Sequence, residues 1–315
     1  MHSTIPKEIW SEHCDGYSFT DCAIRNKDMI YLLATEDKTQ DEQKSKMQLL
    51  LLVQEGDNIE HGYSSFDESF WAVVCTSEKP VEQGLIIQVL GGSVIPTGGP
   101  QRDWPVEDIK QNELLPVRKA KKIDGFPWVV GSHRAVFRRV DIGTWIAVDN
   151  GLKEPEDLSD TDFLDIDGFT SNDIYAVGGK GDIWHYDGQI WKQCGFPTND
   201  KLTAVCCAGD GNVYVAAKHK LWKGRLNRWE AICELELTDK ISDLHWFNNK
   251  IWGCGKYDFL CWNGITLETE VLYQGSPLAL MGTMDCCEHF LLVARRKSVW
   301  VYNGQQWVNI VPESM

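Results

Sequence analysis

The sequence predicts an all-β fold, a seven-bladed β-propeller built from four-stranded antiparallel blades. The chain has 315 residues, which is longer than the chains that usually fold around a single hydrophobic core. Short runs of β-branched and aromatic residues recur about every forty residues, and a period of that length with several short strands per unit is typical of propellers. Asp-Gly and Asn-Gly pairs between these runs predict tight hairpin turns.

The clearest repeat runs from Thr170 to Trp191 and reads TSNDIYAVGGKGDIWHYDGQIW. Two strand-like runs flank a glycine-rich turn, and Asp187-Gly188 then leads to a further strand that contains Trp191. We label the strands of each blade a to d from the channel outward. A tryptophan on strand c and one on strand d keep the same spacing in three repeats: Trp184/Trp191, Trp222/Trp229 and Trp300/Trp307.

Seven positions serve as anchors for the second strand, b, of successive blades. They are Ile30, Phe70, Trp128, Ile174, Val213, Ile251 and Phe290. The gaps between them range from 38 to 58 residues, so two blades are lengthened by insertions.

These anchors divide the chain, taken as one domain over residues 1–315, into seven predicted blades. Their bounds are 15–62, 63–96, 117–148, 164–194, 201–235, 240–272 and 278–311. Two segments resemble an outer strand d of the last blade: residues 6–14, with Ile9-Trp10, and residues 305–311, with Trp307. Either could close the ring, and the sequence leaves both possibilities open.

The repeats resemble those of bacterial non-WD40 β-propeller proteins, whose pattern D-I-Y-A-V-G-x-x-G-x-I-x-H-Y-D-G-x-x-W is found from Asp173 to Trp191. The resemblance is strongest over residues 165–311 and only architectural over residues 15–148. It implies a fold, and a fold by itself does not assign a function.

Composition limits the kinds of partner that the chain can have. The net charge is −15 and the pI is about 5.0, so phosphate backbones and anionic membrane surfaces repel the protein. We therefore expect a basic protein as partner, with neither nucleic acid nor membrane.

Residues 1–10 lack the apolar stretch of a signal peptide, and the longest aliphatic run, Leu49–Val53, is too short to span a bilayer. The expected location is the cytoplasm, and the chain by itself is expected to be a monomer.

The sequence shows no recognisable catalytic motif, so we expect a protein that is not an enzyme and has no cofactor, metal site or catalytic residue. The eight histidines lack metal-ligand spacing, and no P-loop or nucleophile elbow is present. The 11 cysteines form no CxxC pair, which predicts free thiols. Asp21, Asp124 and Asp243 lie in or near predicted innermost strands. They leave open a carbohydrate-active hydrolase or lyase with its site in the central channel.

Four long segments suggest a recognition surface. Residues 34–47, 75–84, 97–116 and 149–162 are all assigned to b–c or d–a loops, which emerge on the same face of a propeller. The predicted partner-binding residues are Asp103, Trp104, Glu107, Glu154, Glu156, Asp157, Asp160 and Asp162. Two simpler interpretations remain: the acidic segment 149–167 keeps the protein soluble, and Trp104 folds back as a cap.

The function predicted from these features is non-catalytic protein binding. Its most specific form is an immunity or inhibitor protein that neutralises a basic bacterial toxin or effector. The acidic charge, the absence of a catalytic motif and the loop-bearing face support this prediction. An assembly or scaffold factor shares these features and is the main alternative, and the channel hydrolase or lyase is the second.

Overall fold

The computed structural model describes residues 1–37, 45–69, 71–101, 103–109, 116–153 and 160–313. These residues form seven four-stranded antiparallel sheets in which sequential strands pair, so the predicted seven-bladed propeller is confirmed. A single α-helix, α1 (Lys7–His13), precedes the first blade. None of the helices in these ranges is long and apolar enough to cross a membrane.

The first three blades contain strands of very different lengths. Blade 1 contains β1 (Tyr17–Asn26), β2 (Met29–Glu36), β3 (Ser45–Glu55) and β4 (Asn58–Ser69). Blade 2 contains β5 (Ala72–Ser77), β6 (Gln83–Gln88), β7 (Ser93–Thr97) and β8 (Glu107–Asp108). Blade 3 contains β9 (Val117–Ile123), β10 (Phe126–Gly131), β11 (Val136–Asp141) and β12 (Thr144–Ala147), with a 3₁₀ turn at Ser132–Arg134.

The next two blades are shorter and more regular. Blade 4 contains β13 (Phe163–Thr170), β14 (Asp173–Gly178), β15 (Asp182–Tyr186) and β16 (Trp191–Gln193). Blade 5 contains β17 (Leu202–Cys207), β18 (Val213–Ala217), β19 (Lys220–Arg225) and β20 (Arg228–Glu234).

The last two blades are separated by an extra hairpin. Blade 6 contains β21 (Asp243–Phe247), β22 (Lys250–Cys254), β23 (Phe259–Trp262) and β24 (Leu267–Glu268). The hairpin is β25 (Val271–Tyr273) with β26 (Ser276–Leu278). Blade 7 contains β27 (Thr283–Cys286), β28 (Leu291–Ala294), β29 (Val299–Tyr302) and β30 (Trp307–Val311).

The hydrophobic core is divided among the junctions between blades. Seven clusters of buried apolar side chains are present in the described chain, and each joins two neighbouring blades. The innermost strands β1, β5, β9, β13, β17, β21 and β27 contact one another around the channel. Because each blade buries its faces against the blades on either side, no blade has a complete core of its own. The cysteines are free thiols, as predicted.

Blade 2 corrects the predicted strand assignment. Phe70 was the anchor for strand b, but the apolar run that follows it forms β5, which contacts β1 and β9 and is therefore strand a. The predicted blade bounds 63–96 are wrong for the same reason, since β4 of blade 1 extends to Ser69 and blade 2 ends with β8. Strands a and b are both buried on two faces, so their compositions do not distinguish them.

The N-terminal segment also differs from the prediction, because residues 7–13 form a helix and not a ring-closing strand. Strand β30 supplies the outer strand of blade 7, so the C-terminal segment is the correct choice. The backbone N–H of Ile5 donates to the carbonyl of Ile310 at 2.9 Å. Trp10 packs into the cluster shared by blades 7 and 1. The segment therefore covers the junction where the first and last blades meet.

We expect Trp10→Ala to lower the free energy of unfolding by about 3–5 kcal/mol, because truncating a buried tryptophan removes apolar contacts and leaves a cavity. Urea unfolding followed by circular dichroism measures this change. Trp71→Ala is the matched control: Trp71 is 64% exposed, and its truncation should cost no more than about 0.5 kcal/mol. Equal effects of the two substitutions would show that α1 does not stabilise the junction.

Candidate functional site: the central channel and the two loop faces

Aspartates on the innermost strands connect neighbouring blades around the channel. Asp21 accepts the backbone N–H of Val74 in the next blade at 2.8 Å. Asp285 in blade 7 accepts that of Ile24 in blade 1 at 2.7 Å. Each carboxylate also accepts an N–H from its own strand, as Asp21 does from Cys22 at 2.9 Å. One aspartate therefore satisfies backbone groups of two blades, which fixes their relative position.

Two lysines of β9 extend into the channel and pair with carboxylates of other blades. The Nζ atom of Lys121 lies 3.3 Å from Asp165 and 3.2 Å from the carbonyl of Val205. Lys119 pairs with Asp243 of blade 6, across the channel. Burial acts to raise the pKa of Asp243, but the charge and hydrogen bond of Lys119 outweigh it and hold that pKa below its ordinary value.

The three aspartates considered for a hydrolase do not form one site. Asp21 and Asp243 lie in the channel, where backbone N–H groups and Lys119 occupy them. Asp124 is exposed on the turn between β9 and β10, where it accepts a hydrogen bond from the hydroxyl of Ser171 at 2.8 Å. Asp124 therefore lies apart from the two channel carboxylates. Among the described side chains, no group of three His, Cys, Asp or Glu residues is placed to hold a metal ion.

The predicted face for the long loops is wrong in part, because β5 is strand a. Residues 78–82 form an a–b loop, and the described residues 98–101 and 103–106 belong to a c–d loop; both loops lie on the end of the propeller opposite the d–a loops. We call the end with the a–b and c–d turns the a–b face and the other end the d–a face. Among the described residues of the four long segments, those of 34–47 and 149–162 lie on the d–a face, together with Ile109 and Pro116 between β8 and β9.

The loop at residues 98–106 contains two of the predicted binding residues. Asp103 is exposed on the a–b face. Trp104 is half-buried, and its indole N–H donates to the carbonyl of Gly98 at 2.7 Å, so the ring folds back on its own loop.

Glu107 was predicted to contact a partner, and its burial contradicts this prediction. It lies on β8, where Arg139 binds its two carboxylate oxygens at 2.9 and 2.5 Å. The indole N–H of Trp145 donates to the same carboxylate at 2.9 Å. The error arises because a strand of two residues inside a long loop gives no sequence pattern that would show Glu107 facing the next blade.

The acidic segment is only partly described. Glu154, Glu156 and Asp157 lie outside the described residues. Asp160 is exposed and lies 3.5 Å from Lys201, while Asp162 accepts two hydrogen bonds from Arg118 at 2.9 and 2.7 Å. The arginine holds the pKa of Asp162 below its usual range, although partial burial acts in the opposite direction. Cations of neighbouring blades thus pair with Asp160 and Asp162, the two predicted binding residues of this segment that the structure describes.

Sequence analysis missed an exposed aromatic residue on the d–a face. Trp71 connects blades 1 and 2, its side chain is exposed, and its carbonyl accepts the N–H of Val89 at 2.7 Å. Trp71 directly follows the predicted anchor Phe70, and only its position outside the apolar run Ala72–Cys75 could have indicated its exposure.

A cavity of 570 Å³ occupies the channel. Its lining includes Asp21, Lys119 and His245 deep in the channel, and residues of the a–b turns such as Lys27 and Glu288 at its mouth. The cavity therefore opens on the a–b face. Ion pairs and aspartates that join the blades, together with two loop-bearing ends, define a propeller whose central cavity is reached from the a–b face.

Comparisons with known proteins agree with this description. No protein-family model matches the chain. The chain is 28% identical over 306 residues to "Immune protein Tsi7" of Pseudomonas aeruginosa strain PAO1, covering 91% of this chain and 95% of that protein. Among solved structures it is similar to YCF48 bound to D1 peptide, with a TM-score of 0.64, 15% identity and coverage of 96% and 94% of the two chains.

Two further structures share the fold at low identity. The WD40 β-propeller domain of Doa1 has a TM-score of 0.61 at 11% identity, with coverage of 89% of this chain and 90% of that one. Sqt1 of Saccharomyces cerevisiae has a TM-score of 0.55 at 9% identity, with coverage of 96% and 98%. These structures confirm the predicted resemblance to propellers at the level of fold.

We expect Glu107→Gln to lower the free energy of unfolding by about 3–5 kcal/mol, because it leaves the buried guanidinium of Arg139 without a charged partner. The double variant Glu107→Leu/Arg139→Met removes both charges and should recover most of that loss. Urea unfolding of Glu107→Gln and of the double variant compares the two losses of stability. A loss as small as that of Asp103→Asn, an exposed control, would contradict the structural role of Glu107.

Asp21 should make stability depend on pH. Burial raises the pKa of Asp21 to about 7, against the opposing charge of Lys119 and with Asp243 adding to the rise. The pKa of Asp21 is higher in the folded protein than in the unfolded chain. Its contribution to stability is therefore fully present below about pH 4, where the carboxyl is protonated in both states, and it is lost as the pH rises through 7. Asp21→Asn should therefore gain stability relative to the natural protein between pH 5 and pH 8, as measured by urea unfolding. A difference that stays constant with pH would refute this prediction.

Proposed function

We propose that this chain is an immunity protein that binds and neutralises a bacterial toxin or effector. The observation that carries the proposal is the similarity to the immune protein of Pseudomonas aeruginosa, which spans 91% of this chain and 95% of that protein. A likeness of that extent is far longer than one repeat of about forty residues, so it is more than the similarity of one propeller repeat to another.

The structure supports binding without catalysis as the mode of action. An inhibitor binds most tightly when its surface is formed before the partner arrives, because little conformational entropy is then lost on association. The ring meets this requirement, since aspartates and lysines join its blades around the channel. The same contacts occupy Asp21 and Asp243, the channel carboxylates that could have taken part in acid–base chemistry.

A basic partner fits the charge of the chain. With a net charge of −15, the protein attracts a cationic surface over several ångströms and accelerates its approach. We place this encounter in the cytoplasm, between one copy of the chain and one copy of its partner.

An assembly or scaffold role is the second candidate. The solved structure of YCF48 includes a D1 peptide, so a propeller of this shape can hold a segment of another protein. At 15% identity that structure shows only a shared fold, and it gives the scaffold role less support than the near full-length similarity gives the immunity role.

Co-expression with the polypeptide encoded by the neighbouring reading frame tests the immunity proposal. We expect that polypeptide to arrest growth of a bacterial host when expressed by itself, and this chain to restore growth. The two proteins should then elute together from a size-exclusion column. An empty vector is the control for growth. Arrested growth in the presence of soluble chain, with no complex formed, would overturn the proposal.

A further inference from the structure

The outermost strand of blade 1 is much longer than the outermost strands of the other blades. Strand β4 has 12 residues, Asn58–Ser69, whereas the other six outer strands have between two and seven. An outer strand has a partner on one side only, so its other side presents unpaired backbone groups to solvent. Propellers normally keep these edges short, and blade 1 departs from that arrangement.

The register with β3 shows which residues of β4 present the unpaired groups. Glu55 pairs with Asn58 across a two-residue turn, and the pairing continues without a bulge as far as Phe66. Residues that flank a two-residue turn form a hydrogen-bonded pair, and such pairs alternate with non-bonded pairs along an antiparallel ladder. The outward-facing residues are therefore Ile59, His61, Tyr63 and Ser65. None of the four has a backbone hydrogen bond to another segment of the described chain. We call this side of β4 the β4 edge.

The middle of the β4 edge lacks the features that usually protect an exposed strand. The run from His61 to Phe66 contains no lysine, arginine, acidic residue or proline, and no bulge interrupts its pairing with β3. Strand β20, the next longest outer strand, contains three charged residues and has a bulge in its ladder with β19. A long, regular and uncharged edge is a template on which another protein can add a strand.

An exposed aromatic ring lies at the centre of the β4 edge. Tyr63 is 55% exposed, and the centroid of its ring is 4.1 Å from that of His13 on α1. Because His13 is buried, α1 supports the tyrosine ring from one side while the other side faces solvent. Side chains of adjacent strands pack in pairs, and pairs of an aromatic with a β-branched residue stabilise a sheet. An added strand would therefore cover Tyr63 with one of its own side chains.

Acidic residues flank the uncharged run at both ends. Glu55 and Glu60 are exposed before it, and neither pairs with a cation among the described residues. Asp67 and Glu68 follow it in the sequence. Two copies of this chain paired antiparallel through β4 would bring the acidic end of one copy against the acidic end of the other, and like charges on opposite strands are destabilising. A strand with lysine or arginine at its ends avoids this repulsion.

We propose that the β4 edge binds an extended segment of a partner protein, which becomes a fifth strand of blade 1. The segment has an uncharged, β-branched or aromatic centre and basic residues at both ends. Backbone hydrogen bonds to the outward-facing residues hold it, and the flanking carboxylates set its position along the strand. The partner's identity as a toxin rests on the proposed function, whereas the unpaired edge is a property of this chain.

A proline substitution tests the β4 edge. Ser65 is exposed and its N–H points outward, so Ser65→Pro removes a donor from the edge without removing a bond to β3. Ala231→Pro is the matched control. Ala231 is exposed on β20, and its register from the two-residue turn between Arg225 and Arg228 also points its N–H outward. Thermal unfolding checks that both variants fold.

Affinity for the purified polypeptide of the neighbouring reading frame is measured by calorimetry. We expect Ser65→Pro to weaken binding about tenfold or more, because one hydrogen bond is lost and the proline ring obstructs the added strand. Ala231→Pro should change the affinity less than about twofold. Equal affinities of the two variants would overturn the assignment of the edge even if the chain neutralises the toxin.

Hydrogen exchange of the natural protein gives a readout that needs no variant. When the complex forms, the backbone amides of residues 58–66 should exchange about tenfold more slowly or less, because the added strand bonds the outward N–H groups, while residues 228–234 stay unchanged. Unchanged exchange in residues 58–66 would contradict the proposal. So would protection that appears in the chain by itself and grows with its concentration, since the occupant would then be a second copy.

A synthetic peptide separates this proposal from the immunity proposal. If the neighbouring polypeptide is neither toxic nor bound, the immunity proposal fails, and the peptide still decides whether the edge accepts a strand. The probe is fluorescein-labelled Lys-Lys-Thr-Val-Thr-Val-Thr-Lys-Lys, followed by fluorescence polarisation at low salt. Its control has proline in place of the central threonine, which keeps the charge and prevents strand pairing.

The first peptide should bind the natural protein and Ala231→Pro about tenfold more tightly than it binds Ser65→Pro. The proline peptide should bind all three proteins weakly. Equal binding of the two peptides to the natural protein, including none by either, would refute the assignment of the β4 edge, because charge alone would then account for any attraction.

Discussion

The hydrogen bonds from backbone N–H groups of one innermost strand to aspartates of its neighbour are the constraint on which the ring depends. Asp21, Asp165, Asp243 and Asp285 make such bonds at the junctions 1–2, 4–5, 6–7 and 7–1. Other contacts serve the remaining junctions, including the hydroxyl of Thr203, which donates to the carbonyl of Ile241 at 2.5 Å between blades 5 and 6. Lys121 connects blade 3 to blade 4, and Lys122 connects it to blade 2. Innermost strands have no ladder partner on their channel side, so side chains must satisfy groups that a sheet would otherwise pair.

Closure of the ring adds a second element to the aspartate bond that Asp285 makes at the 7–1 junction. Each blade is continuous in sequence, so no strand exchanged between the termini holds blade 7 to blade 1. The N-terminal segment covers that junction instead, with Ile5 bonded to β30 and Trp10 in the shared apolar cluster. With this segment in place, the interface between the first and last blades is apolar, like the other junctions. This helps to explain how a ring without interlocked ends stays closed.

Rigidity and charge together account for the proposed activity. Most cations in the channel and on the a–b face already pair with carboxylates. The carboxylates that have no such pair lie where a partner can reach them. A preformed acidic surface favours fast association with a cationic protein and loses little entropy when it binds. The near full-length similarity to an immune protein gives the same conclusion from an independent direction.

The sequence by itself determined the fold class and the number of blades, because both follow from a local pattern of short apolar runs and glycine turns. It also indicated protein binding, since charge and the absence of motifs require no coordinates. Only the tertiary structure decided which strand of blade 2 is innermost, and hence that Asp103 and Trp104 lie on the a–b face. It also placed Glu107 in a buried ion pair and Asp165, read as part of an acidic segment, in the interior of the ring. The physical reason is that these outcomes depend on contacts between blades far apart in the chain, as between Lys119 and Asp243, which no local pattern records.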